Sequence, residues 1–132
     1  NPNGGVDVIP GQEGQGTPVE HPFTSPVYFA YDSAVVGQAY DDMLQTLADY
    51  MKSHGNYSLT VNGHCDDRGS EEYNRALSER RALAVKDAII AFGAPADRIN
   101  TVGYGEERAA APGTSAEAYA ANRRAEFDVF SK

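Results

Sequence analysis

The chain has 132 residues, 41% of them hydrophobic, which suits one small domain with its own core and a tail. Its 19 acidic and 11 basic residues give a formal charge of −8, which excludes a surface built to meet nucleic-acid phosphates and disfavours docking on anionic lipid through charge. There is no apolar run of about 18 residues to span a membrane, and the single cysteine, Cys65, cannot form an internal disulfide.

Asn1 to Pro26 holds five prolines and five glycines among few large apolar residues and reads as a flexible Pro/Gly-rich tether. No signal peptide is visible in the chain, which reads as a mature or trimmed product. The domain is expected over 27–132. Val27 to Tyr31 (VYFAY), rich in aromatic and β-branched residues, predicts a first strand that Asp32 and Ser33 end. A helix follows from Gln38 to Ser53, with Tyr40, Met43, Leu44, Leu47, Tyr50 and Met51 at three-to-four spacing, and His54-Gly55-Asn56 closes it. Tyr57 to His64 predicts a second strand, and the polar loop Cys65-Asp66-Asp67-Arg68-Gly69 feeds a long helix. Ser70 is its N-cap, Glu71 and Glu72 place negative charge on its first turn, and Gly93 with Pro95 stops it.

Arg98 to Tyr104 predicts a third strand, parallel to the second across the helical crossover. After a loop from Gly105 to Ser115 come a short helix, Ala116 to Asn122, and a last strand, Ala125 to Phe130. The alternation of Ala125, Phe127 and Val129 against Glu126, Asp128 and Phe130 is imperfect and points to an edge strand. The sum is an α/β (α+β) sandwich: one mixed four-stranded sheet with helices on one face.

Inside the long helix, Arg81 breaks the pattern. At about 100° per residue, Leu77, Ala84, Val85, Ala88 and Phe92 all lie within roughly 60° of it. A guanidinium in the middle of an apolar stripe needs a partner, because an unpaired buried charge costs several kcal/mol. The nearest candidate is the loop carboxylate Asp66. Either the two form a structural pair, or both stand at a pocket mouth and grip a ligand that carries both charge signs. Spacing leaves both open.

Catalysis finds little support. His64, Cys65, Asp66 and Asp67 crowd together without the spacing of zinc motifs, so no metal or cofactor is expected. Cys65 lacks an oriented base, since His21 lies in the tether and His54 in a turn. Adjacent carboxylates do not supply the separated acid and base of glycoside cleavage.

The stretch GHCDDRGSEEYNRALSERRALAV closely resembles the signature of OmpA-like peptidoglycan-binding domains. The C-D-x-R-G form, VYFAYDS upstream and NRRAEF downstream are most similar to the peptidoglycan-associated lipoproteins (Pal) within that group. The resemblance covers about Val27 to Phe130 and implies the same fold, no enzymatic activity, and non-covalent binding of the diaminopimelate residue of the stem peptide. It implies that Asp66 takes the ligand ammonium while Arg81 offers a planar fork to the carboxylate. Asp32 and Tyr31 fall beside the site, with Ala30 where Pal-like sequences often have Asp or Gly. His64, Cys65, Arg68, Leu77 and Asn74 are implied as its remaining lining, with Arg123 or Arg124 in support. Implied partners are peptidoglycan and Tol proteins such as TolB. The implied setting is the periplasm, held to the outer membrane by a lipid anchor upstream of Asn1. The alternatives are the wall-anchoring domain of an outer-membrane porin or a flagellar stator protein, or a module whose main partner is a periplasmic protein such as TolB.

Overall fold

The computed structural model describes residues 16–132. Its first element lies inside the stretch expected to be a tether. Thr17–Val19 (β1) pairs antiparallel with the last strand, and Phe23 is buried with its ring edge-on to Tyr50, centroids 5.2 Å apart. Ordered structure therefore starts well before Val27. Pro18 tolerates this place because β1 lies at the sheet's edge, where a missing N–H breaks no outer ladder. The rest of the expected tether, residues 1–15, lies outside the described residues.

The first predicted strand is shorter than its composition indicates. Only Val27–Tyr28 (β2) pairs; a turn follows in which the Ser33 N–H donates to the Ala30 carbonyl at 3.2 Å and Asp32 takes φ +56°. A 3-10 turn at Gln38–Tyr40 leads into Asp41–Ser53 (α1), then Tyr57–Gly63 (β3) and Glu71–Ala91 (α2). Ser70 caps α2 as expected, its side chain accepting from the Tyr73 N–H at 3.1 Å. Ile99–Gly103 (β4), Ala116–Asn122 (α3) and Arg124–Ser131 (β5) complete the chain.

The sheet order is β1-β5-β3-β4, with β2 also paired to β5. β3 and β4 run parallel across α2 and the other pairs are antiparallel, so the sheet is mixed as expected, with five strands rather than four. β5 is interior, not an edge strand. Phe130 spoils its alternation because the register sets it between Pro18 and Ser58, neighbours that shield it on the face away from the helices. The core lies on the other face. There Leu59, Val61, Phe127 and Val129 meet Leu44, Leu47 and Met51 of α1 and Ala82, Val85 and Ile89 of α2.

Gly63 sets how close α2 comes. A Cβ there would lie 1.9 Å from the Ser78 carbonyl oxygen, so only glycine lets the helix backbone rest on the end of β3. This contact carries Arg81, one turn further along α2, in beneath the loop that leaves β3. Among the described residues no helix is long and apolar enough to cross a membrane.

Candidate functional site

Arg81 is buried, with 1% of its surface exposed, as its place in the apolar stripe requires. It does not pair with Asp66. Its Nε donates to the Ser33 carbonyl at 2.8 Å, Nη1 to the His64 carbonyl at 2.9 Å and to Cys65 Sγ at 3.5 Å, and Nη2 to the Ala30 carbonyl at 3.1 Å. Four of the five N–H bonds of a guanidinium are thus engaged on backbone and thiol. Burial lowers its pKa from the ordinary arginine value. The structural role that spacing left open is real, but its partners are the β2 and β3 loops rather than a carboxylate. Sequence periodicity locates an inward side chain; it carries no information about backbone carbonyls that a turn at Ala30–Ser33 brings to it.

Asp66 is also buried, and its partner is two residues away. Its Oδ1 accepts from the Arg68 backbone N–H at 3.1 Å and from Arg68 Nε at 3.2 Å, while Oδ2 accepts from Arg68 Nη2 at 2.7 Å. Arg123 Nη1 lies 3.7 Å from Oδ2. Burial pushes the Asp66 carboxyl up, but the hydrogen bonds and charge of Arg68, with the charge of Arg123, outweigh it and hold the group below its ordinary value. The Arg68 guanidinium is itself sandwiched, 4.1 Å from the ring centroids of both Tyr31 and Tyr119.

The remaining expected residues gather here with one exception. Tyr31, Asp32, Cys65, Asp66, Arg68, Asn74, Leu77 and Arg81 line one cavity of about 50 Å³ together with Gly69 and Tyr73. Asp32, in its left-handed turn, accepts a short hydrogen bond from the Tyr73 hydroxyl. Asn74 donates to Glu106 Oε1 at 2.7 Å, and its carbonyl accepts from Cys65 Sγ at 3.2 Å. Burial raises the Cys65 thiol above its ordinary value despite the Arg81 charge, which opposes nucleophilic use.

His64 is the exception. Its carbonyl holds Arg81, but its ring turns away and stacks on Tyr104, centroids 5.4 Å apart. Burial first, then the charges of Arg124 and Arg108, lower its pKa to about 3 against the weaker pull of Asp128, so the ring is neutral. Arg123 reaches the site edge, whereas Arg124 donates to Glu126 at 2.7 Å and to the Arg108 carbonyl at 2.9 Å. Sequence reading missed Tyr73, Tyr119 and Glu106. Tyr73 sits on the first turn of α2 next to a loop already suspected and had a local signal; Tyr119 comes from α3 and Glu106 from the loop after β4, both distant in sequence from the Asp66 loop.

A larger open groove of about 600 Å³ runs between α2 and the edge strand β4, lined by Ala76, Glu79, Leu83 and Thr101 among others. Its lining shares no residue with the cavity at Asp66 and Arg81. Among the described residues no group of His, Cys, Asp and Glu is placed to hold a metal ion.

Comparison with known proteins bears on this geometry. The OmpA family matches the chain over residues 28–123. The chain is 45% identical over 105 residues to the outer membrane porin F of Pseudomonas aeruginosa, covering 78% of this chain and 30% of the porin. It is 38% identical over 99 residues to the peptidoglycan-associated lipoprotein of Agrobacterium fabrum, covering 75% of this chain and 56% of that protein. Both relatives are therefore considerably longer than the stretch they share with it. The crystal structure of the peptidoglycan-associated lipoprotein from Burkholderia pseudomallei superposes with a TM-score of 0.77 at 38% identity, over 79% of this chain and 88% of that one.

Proposed function

Because the chain belongs to the OmpA family, we propose that it binds peptidoglycan without covalent attachment and anchors an outer-membrane component to the wall. The ligand is the diaminopimelate residue of the stem peptide, whose free end carries an ammonium and a carboxylate on one carbon. One observation carries this reading. A single small cavity is lined by both a buried carboxylate, Asp66, and a buried guanidinium, Arg81, with Asn74 and the apolar wall of Leu77 and Tyr31 around them. Asp66 takes the ammonium. Arg81 supplies positive charge and its remaining Nη2 N–H to the carboxylate, while its other donors keep the loops in place. Binding proceeds without turnover, in keeping with the protonated, hydrogen-bonded state of Cys65.

The carrier of this domain is a Pal-type lipoprotein of the Tol-Pal system, in the periplasm and anchored to the outer membrane, with TolB as a further partner. The match to Pal sequences and to a Pal crystal structure over most of the chain supports it. The 45% identity to porin F favours a second reading, the wall-anchoring domain of a porin.

The test is co-sedimentation with purified diaminopimelate-type sacculi, comparing wild type with Asp66→Asn and Arg81→Lys after circular dichroism shows each to be folded. Wild type pellets and the folded variants stay in solution. If the folded variants pellet as well as wild type, the Asp66 cavity is not what holds the wall. If wild type fails to pellet and binds purified TolB, the domain is a protein-interaction module.

A further inference from the structure

Arg68 stands where a ligand ammonium would have to go. Both Asp66 oxygens already accept from its guanidinium, at 3.2 and 2.7 Å. The cavity left beside them, about 50 Å³, has room for no more than a few waters. The other half of a zwitterion site is equally committed, since Arg81 spends its Nε and Nη1 donors on Ser33 and His64. The closed pocket thus offers neither a free anion nor a two-pronged cation.

Moving one side chain supplies both. Arg68 is 36% exposed, and its charged end rests between two aromatic faces rather than in a cage of hydrogen bonds. Tyr31 is 61% exposed, so one wall of that sandwich lies at the surface. Once off Asp66, the guanidinium is a fork with free N–H bonds, beside the same cavity, suited to bidentate contact with a carboxylate.

We infer that Arg68 is a partner-exchanging clamp. In the free protein it is the internal ligand of Asp66; when the zwitterion binds, the ligand ammonium takes Asp66, and Arg68 joins the remaining Nη2 N–H of Arg81 on the ligand carboxylate. The inference rests on the peptidoglycan-binding reading and deepens it, because it makes Arg68 the residue that sets specificity. A lysine side chain brings a cation but nothing for the displaced Arg68, so it must break the Asp66–Arg68 contact without replacing it. A diaminopimelate end replaces what it breaks. Tyr31 and Tyr119 act as the bearing on which the guanidinium turns, giving it a cation–π face throughout.

The test is calorimetric titration of soluble stem tripeptides, one with diaminopimelate and one with lysine at the third position. Wild type, Arg68→Ala and Arg68→Lys are compared, each shown folded by circular dichroism. Wild type prefers the diaminopimelate peptide by about 10- to 100-fold, the range of one charged hydrogen-bonded contact. Arg68→Ala loses most of that preference, with weaker diaminopimelate binding and lysine binding equal to or tighter than wild type; Arg68→Lys falls between. If wild type binds but Arg68→Ala keeps the preference, whether both affinities fall together or neither changes, Arg68 only braces the loop and the exchange is refuted while the site stands. If wild type binds neither peptide, the site reading falls and the exchange with it. A ligand-free arm follows the Asp66 carboxyl by carbon-13 NMR. Its titration moves up in Arg68→Ala; an unmoved titration refutes the closed state.

Discussion

Replacing Arg81 by methionine asks whether the buried guanidinium is part of the fold before it is part of any site. The change keeps the length and apolar stem of the side chain and removes the donors to the Ala30, Ser33 and His64 carbonyls. His64 is buried, so its carbonyl is left without water, a loss of about 1–3 kcal/mol. Ala30 is exposed and Ser33 half-buried, so water replaces those two contacts at a net loss of about 1 kcal/mol each. Relief of the guanidinium's own desolvation offsets part of this. The balance is a destabilisation of about 2–4 kcal/mol, or about 10 °C in Tm for a domain of this size. Urea unfolding followed by circular dichroism measures it as a lower midpoint with an unchanged slope. A midpoint within about 0.5 kcal/mol of wild type would refute the reasoning, since surface substitutions alone reach that value. The outcome also decides how binding data are read: an Arg81 variant that fails to bind has lost loop positions as well as charge.

Three further outcomes follow from named contacts. His64 stays neutral in the fold, with a pKa of about 3 against an ordinary 6.5, so the unfolded chain takes up its proton first. Stability from this residue is complete above about pH 6.5 and is lost as pH falls toward about 3, at up to about 1.4 kcal/mol per pH unit. His64→Gln flattens that slope in urea titrations, and a His64 ring titrating near 6.5 by NMR would contradict the burial argument. Asp66 is held below its ordinary pKa, so its contribution is full above the usual carboxylate range and lost as pH falls through the depressed value. The stability gap between wild type and Asp66→Asn therefore closes on acidification below about pH 4; a gap that widens in acid reverses the sign assigned to Arg68. Gly63→Ala forces a methyl group to 1.9 Å from the Ser78 carbonyl and lowers stability by about 3 kcal/mol, and a thermal melt superimposable on wild type excludes the close approach of α2.

What the sequence disclosed divides along physical lines. Regular periods were legible: α1, α2 with its Ser70 cap, and the inward direction of Arg81 all follow from spacing that repeats. Asp66, Asn74 and Leu77 converge on one cavity because a loop and the first turns of one helix are close in sequence as in space. Contacts set by irregular backbone were not. The turn at Ala30–Ser33 turns two carbonyls onto Arg81, and an Asp-x-Arg loop folds Arg68 back onto Asp66, yet neither arrangement has a period to detect. β1 was invisible for a different reason. A three-residue edge strand containing Pro18 has the composition of a linker, and only the ladder with Thr17 against Ser131 and Val19 against Val129 distinguishes them. Phe130 misled in the same way, since a strand paired on both sides shields an apolar residue even on its polar face.

The place of β1 has a mechanical consequence. Thr17 pairs with Ser131, which also pairs with Tyr57 at the start of β3, whereas the cavity opens beyond Gly63 at the far end of that strand. With seven residues in β3, the two points stand about 20 Å apart along the strand direction. A tensile load applied between Gly16 and a ligand in the cavity therefore runs parallel to the strands. The β1–β5 hydrogen bonds then bear it side by side, in shear, instead of opening one at a time as in a zipper pulled from its end. Behind them, Phe23 and Val27 are seated in the core and share the strain before the domain yields.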